Sequence, residues 1–109
     1  PGIEAACHLH DTYGAGMANV YAALRAGAVS LESSFAGLGG CPFTKVAAGN
    51  VATEDLVHTL QRSGKRTDVD LEGLIAVAKD VEAFLGREMP GRVHRTGPVP
   101  QLRKQEASV

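Results

Sequence analysis

The chain has 109 residues, a size that fits one small domain. Hydrophobic residues make up 44% and charged residues 21% of it, which excludes a chain disordered by composition, and a formal net charge of −1 gives no support for nucleic-acid binding by the chain as a whole. No apolar run approaches the roughly 18 residues that a membrane span needs. Two cysteines are too few for a disulfide framework, so we expect a reduced, intracellular setting.

The first half of the chain alternates between short apolar runs and helical patterns. Residues 3–10 predict a strand, and residues 15–26 predict a helix that Gly27 ends. Residues 28–34 predict a second strand, and a glycine-rich loop follows at residues 36–50. This order of elements is typical of parallel strands joined by helices.

The second half continues the same alternation. A second helix is predicted from about Thr53, a very short third strand at residues 66–69, and a third helix after Asp70, which is suited to cap it. Three strand–helix units cannot close a barrel, which needs eight strands. The chain also enters its first predicted strand within three residues of Pro1. We therefore expect residues 1–86 to be the last part of a larger α/β domain.

The composition changes at Arg87. Residues 87–109 contain five basic and two acidic side chains, several prolines and few apolar residues, which predicts a flexible, basic and solvated tail. The tail has no aromatic residue on which a nucleic-acid base could stack. His94 in the tail and His58 on the second helix are expected at the surface.

His8 and His10 are the first candidate site residues. On a strand they point to the same face, with roughly 6.6 Å between their Cα atoms, which allows two imidazoles to reach one metal ion. They also stand at the carboxyl end of the strand, where sites gather in parallel α/β folds. Two hydrogen-bonded histidines without a metal remain the alternative. Asp11 is expected to cap or turn the chain, with support of a histidine as the other possibility.

The glycine-rich loop supplies the second group of candidates. Gly37, Gly39, Gly40 and Gly49 give the backbone freedom to take unusual angles around Cys41. A small buried cysteine is the alternative to a functional thiol. A thiol on such a loop, placed over a histidine site, suits proton transfer or a lid.

Three stretches of the sequence carry a family resemblance. "HLHDTYG", "ESSFAGLGGCPF" and "AGNVATEDLV" resemble the 3-hydroxy-3-methylglutaryl-CoA (HMG-CoA) lyases over about residues 3–86. The resemblance implies the last three βα units of a (β/α)8 TIM barrel. It also implies cleavage of HMG-CoA to acetyl-CoA and acetoacetate, a reaction of leucine degradation and ketone body formation.

The resemblance also implies roles for individual residues. His8, His10 and Asn50 match ligands of a divalent metal, Mg²⁺ or Mn²⁺, and the residue types suit a six-coordinate ion of this kind. Cys41 and His8 match groups that transfer protons. Glu32 stands where the family usually has aspartate. The family's aspartate ligand and substrate-binding arginine belong upstream of Pro1, so the 109 residues alone are expected to be inactive.

The resemblance further implies an acyl-CoA substrate and a homo-oligomer for the complete protein, without nucleic-acid or membrane partners. A bacterial cytoplasm is favoured over a mitochondrial matrix. Two alternatives stay open: a non-catalytic truncated remnant that serves as an interaction module, and a related aldolase or acyltransferase of the same superfamily. The Gly-Gly-Cys-Pro sequence of the loop argues against the second.

Overall fold

The computed structural model describes residues 2–39 and 49–98. The strands and helices in chain order are β1 (Ala6–His8), α1 (Gly16–Arg25), β2 (Ser30–Glu32), α2 (Thr53–Arg62), α3 (Leu71–Leu85) and α4 (Val93–Thr96). Two short 3-10 turns, Thr12–Gly14 and Phe35–Gly37, follow the two strands. In the part of the chain that the structure describes, no helix has the length and apolar character to cross a membrane.

The two strands form a parallel pair. Cys7 lies opposite Leu31 and His8 lies opposite Glu32, and α1 makes the crossover between the strands. The predicted strand–helix–strand unit is therefore confirmed, although both strands are shorter than the sequence suggested. The parallel direction places the carboxyl ends of β1 and β2 side by side.

The third predicted strand is wrong. Residues 66–69 form a turn, in which Arg66 has a φ of 52° and the Val69 N–H donates to the Arg66 carbonyl over 3.3 Å. An extended strand does not accommodate that left-handed φ. The strand-like segment is instead residues 50–52: the Val51 N–H donates to the Leu9 carbonyl over 3.0 Å and the Val51 carbonyl accepts from Ser34 over 3.0 Å.

The three longer helices begin and end where the sequence predicted. The Asp70 side chain accepts a hydrogen bond from the Gly73 N–H over 3.0 Å at the start of α3, and Gly86 ends that helix with a φ of 67°. A left-handed residue after the last turn is the common helix stop, and glycine adopts it without strain.

Two small apolar clusters hold these elements together. The first joins α1, residues 50–52 and α2, and its buried members are Val20, Val51, Leu56 and Leu60. The second joins the Phe35–Gly37 turn, α3 and the residues that follow α3, and its buried members are Ala36, Ala78 and Met89. Both clusters therefore include residues next to the strand ends.

Residues 88–97, here called the C-terminal segment, are not a solvated tail. Met89 and His94 are 1% and 2% exposed, and Val93 is also buried. The expectation of a solvated segment and of a surface position for His94 is wrong, because acidic side chains of α2 and α3 bind this segment. Asp55 accepts hydrogen bonds from the Arg92 and Val93 N–H groups. The structure describes none of residues 99–109, so the prediction for them stays a prediction.

Candidate metal centre at the strand ends

His8 and His10 lie together at the carboxyl end of β1. Their ring centroids are 5.2 Å apart and their planes are tilted by 53°. Both residues are exposed, whereas Leu9 between them packs against the first apolar cluster. The prediction that the two rings share one face is therefore confirmed, and the reason is the period of two along an extended backbone.

Glu32 binds the first of these histidines. The pairing of β1 with β2 sets His8 opposite Glu32, and His8 Nδ1 lies 2.7 Å from Glu32 Oε2. A carboxylate oxygen only accepts, so Nδ1 donates, and in the neutral ring Nε2 is the nitrogen with a lone pair. Carboxylates orient metal-binding histidines in this manner. Sequence reasoning noted Glu32 only as a departure from the family pattern.

Asn50 comes from the far end of the glycine-rich loop. It forms an isolated antiparallel bridge with His10, and its Nδ2 donates to the Leu38 carbonyl over 3.0 Å. Its Oδ1 is buried and has no hydrogen-bond partner within the described ranges 2–39 and 49–98. A buried polar atom without a partner costs free energy, which a bound cation at this oxygen would offset.

These donors fit a hard divalent ion. Two imidazole nitrogens and one amide oxygen are ligand types that Mg²⁺ and Mn²⁺ accept, and Zn²⁺ in a closed structural site would prefer thiolates. Among residues 2–39 and 49–98, no group of three or more His, Cys, Asp or Glu side chains converges on one point. The candidate donors among these residues are therefore two imidazoles, which are uncharged in the neutral rings, and one amide.

The two ends of the glycine-rich loop cross beside Asn50. A Cβ at Gly49 would overlap the Gly37 carbonyl, and a Cβ at Gly39 would lie 2.6 Å from Asn50 Nδ2. Glycine is required at both positions for the backbones to approach this closely. Gly40 and Cys41 lie outside the described residues, so their roles in the loop stay predictions.

Asp11 binds the backbone of the turn after β1, which is one of the two roles predicted for it. Its Oδ1 accepts from the Gly16 N–H over 2.9 Å at the start of α1. Its Oδ2 lies 3.4 Å from Arg92 Nη1 of the C-terminal segment. The side chain of Asp11 thus supports the turn that follows the histidines.

The comparisons with known proteins identify the family of the chain. The HMGL-like family profile matches residues 1–81, which is most of the chain. The chain belongs to the HMGL-like family. The predicted resemblance to HMG-CoA lyases is confirmed.

Three similar members of the HMGL-like family illustrate the match. The mitochondrial hydroxymethylglutaryl-CoA lyase of Arabidopsis thaliana is 49% identical over 87 residues, 80% of this chain and 19% of that protein. The (R)-citramalyl-CoA lyase of Chloroflexus aurantiacus is 44% identical over 103 residues, 94% of this chain and 32% of that protein. An HMG-CoA lyase structure from Acinetobacter baumannii, in complex with coenzyme A and 3-methylmalate, superimposes with a TM-score of 0.79 at 40% identity and covers 85% of this chain and 30% of that one. The chain thus spans less than a third of the length of these relatives.

The Glu32 contact makes a prediction for the ring of His8. Changing Glu32 to Gln should reduce the preference for a proton on Nδ1, because an amide can either donate or accept. The change in tautomer ratio should stay below about tenfold, since exposed ion pairs contribute about 0.2–1 kcal/mol. Nitrogen NMR of the imidazole rings measures the ratio, and Glu4→Gln is the matched control. An unchanged ratio in Glu32→Gln would contradict the contact.

Proposed function

We propose that the complete protein is a carbon–carbon lyase that cleaves HMG-CoA to acetyl-CoA and acetoacetate with Mg²⁺ or Mn²⁺. The observation that carries the proposal is the buried Oδ1 of Asn50, which has no hydrogen-bond partner in the described residues and lies where Asn50 bridges to His10. The names of the relatives support an acyl-CoA substrate. Because the chain is less than a third of those relatives, the proposal concerns the whole protein, and we expect the 109 residues alone to be inactive.

We assign the described elements to part of a (β/α)8 barrel. β1, β2 and residues 50–52 would be three neighbouring strands, which is supported by the parallel pairing of β1 with β2 and by the hydrogen bonds of Val51 to both strand ends. The histidines and Asn50 would then lie at the carboxyl ends of the strands. Active sites of TIM-barrel enzymes lie at that end.

The chemistry follows from the positions of these side chains. His8, His10 and Asn50 would hold the divalent ion, which when bound lowers the cost of deprotonating the substrate hydroxyl. After the hydroxyl loses its proton, the bond between C2 and C3 of the acyl chain breaks, and the released acetyl-CoA carbon must gain a proton. Cys41 is the proposed donor of that proton, and His8 is the second group able to move one.

A second substrate is favoured by one comparison. The citramalyl-CoA lyase of Chloroflexus aurantiacus matches 103 residues of this chain, whereas the plant HMG-CoA lyase matches 87. Citramalyl-CoA has the same 3-hydroxy-3-methyl acyl thioester and lacks one methylene before its free carboxylate. The same bond would break, with pyruvate instead of acetoacetate as the second product. The proposed metal ligands would act on the hydroxyl that both substrates share, so we do not expect them to discriminate between the two.

The choice of substrate is testable with the purified complete protein. We expect Mn²⁺-dependent release of acetoacetate from HMG-CoA, with a kcat/KM about 10- to 200-fold above that for citramalyl-CoA, the range that one methylene is worth in a fitted pocket. Separate assays of acetoacetate and pyruvate measure the two reactions, and protein treated with a chelator is the control. Cleavage of neither thioester would contradict a lyase, and a preference for citramalyl-CoA would replace the first substrate with the second.

Removing a proposed ligand should weaken metal binding. His10→Ala should lower Mn²⁺ affinity by at least about 10-fold, because losing a direct ligand should cost no less than losing an outer partner, which costs about 10- to 100-fold. Calorimetric titration of the complete protein measures the affinity. His58→Ala, which removes a histidine of α2, should bind Mn²⁺ as the unchanged protein does. Equal affinities in all three proteins would remove His10 from the site.

The loop cysteine is expected to act in turnover. Cys41→Ser should lower kcat far more than it raises KM, because a hydroxyl is a much weaker acid than a thiol. Steady-state kinetics give both constants. Cys7→Ser is the matched control, since Cys7 is a free, half-buried cysteine on β1. Faster modification of Cys7 than of Cys41 by thiol reagents would show that the functional cysteine has been misassigned.

A further inference from the structure

A buried histidine away from the candidate metal centre joins two carboxylates. His94 of α4 has its Nδ1 2.9 Å from Glu54 Oε2 and its Nε2 2.9 Å from Glu82 Oε2. Glu54 is fully buried and His94 is 2% exposed. Carboxylates only accept, so the ring donates from both nitrogens when both acids are ionised. One imidazole thus connects α2, α3 and the C-terminal segment.

The surroundings of Glu82, the more exposed of the two acids, favour its ionised form. The Met89 N–H donates to Glu82 Oε2 over 2.9 Å, and this bond, together with that from the His94 ring, holds the pKa of Glu82 below its usual range. Nearby Arg95, which pairs with Glu88, acts on Glu82 in the same direction. The charges around His94 therefore suit a donor at each ring nitrogen.

Glu54, the fully buried acid, connects this bridge to the start of the glycine-rich loop. The second oxygen of Glu54, Oε1, accepts from the Ala36 N–H over 2.8 Å, and the Gly91 N–H donates to the Ala36 carbonyl over 3.0 Å. Ala36 has a φ of 59°, a left-handed conformation that is costly for a residue with a Cβ. Glu54 and Gly91 therefore hold the N–H and the carbonyl of one strained residue.

The same turn holds the candidate metal ligand. Two residues after Ala36, the Leu38 carbonyl accepts from Asn50 Nδ2, and this bond leaves Oδ1 as the buried oxygen without a partner among the described residues. A continuous path of hydrogen bonds and two backbone residues therefore runs from His94 through Glu54 and the turn to Asn50. No step of it involves His8 or His10.

We infer that His94 is a positioning residue for Asn50. Its bond to Glu54 fixes the Phe35–Gly37 turn, and this turn orients the Asn50 carboxamide. This inference rests on the proposed metal site. It differs from a role in which His94 only fastens the C-terminal segment through Glu82. Variants can keep the bond to Glu54 or the bond to Glu82 alone, so experiment can distinguish these two roles.

Two amide variants keep one bond each. The amide nitrogen of asparagine lies about where Nδ1 of histidine lies, and that of glutamine lies about where Nε2 lies. His94→Asn should therefore retain a donor to Glu54, and His94→Gln should retain a donor to Glu82. His94→Ala removes both donors. Val93→Ala is the matched control, since it removes buried apolar volume from the same helix and leaves the bridge intact.

The experiment combines two measurements on the complete protein. Hydrogen exchange of the peptide that contains Ala36 reports the turn without any metal, and Mn²⁺ titration reports the site. We expect His94→Gln and His94→Ala to exchange faster at Ala36 and to bind Mn²⁺ about 10-fold or more weakly, as loss of an outer partner does. His94→Asn and Val93→Ala should remain near the unchanged protein in both measurements.

Three results would overturn the inference. A His94→Gln variant that behaves as the unchanged protein, beside an impaired His94→Asn variant, would place the role of the histidine at Glu82, and this comparison stands even where His94→Ala fails to fold. Weaker Mn²⁺ binding by Val93→Ala would trace the effect to general loss of stability. An unchanged Mn²⁺ affinity in every variant rejects the positioning role alone, whereas absence of Mn²⁺ binding by the unchanged protein rejects the proposed metal site as well.

Discussion

The buried carboxylate of Glu54 sets the arrangement of the second half of the chain. A carboxylate with no exposed surface needs donors on both oxygens, and here they come from the Ala36 N–H and the His94 ring. These donors belong to a turn after β2 and to α4, which are far apart in sequence. Leaving a buried polar group without its partner costs about 1–3 kcal/mol, and more for a charged group, so the turn, α2 and the C-terminal segment are held as one unit.

The candidate metal centre depends on backbone pairing rather than on a packed pocket of its own. His8 faces Glu32 because the two residues are partners in a parallel register, and Asn50 reaches His10 because residues 50–52 bond to both strand ends. The polar side chains at this edge are mostly exposed, while the leucines beneath them are packed. The strands therefore fix the relative positions of the donors without burying the histidines.

Local patterns predicted the helices and the shared face of the histidines. The apolar spacing, the Asp70 cap and the Gly86 stop are all readable within one element, and the two-residue alternation of β1 gives the positions of His8 and His10. Contacts between distant residues were not readable. His94 contacts acids 40 and 12 residues away, and Glu32 contacts a histidine 24 residues away. None of these three contacts has a signal in the surrounding sequence. The short strand pairing of residues 50–52 was missed for the same reason.

The crossing of Gly37 and Gly49 has a consequence for how this family can vary. These two backbones are in contact, so the two ends of the intervening segment are close in space although they are well separated along the chain. Changing the length of such a closed segment costs little, because closure entropy grows only with the logarithm of length. We therefore expect relatives to differ more readily in the length of the thiol-bearing segment than at Gly37, Gly39 and Gly49, where the backbones approach each other and Asn50.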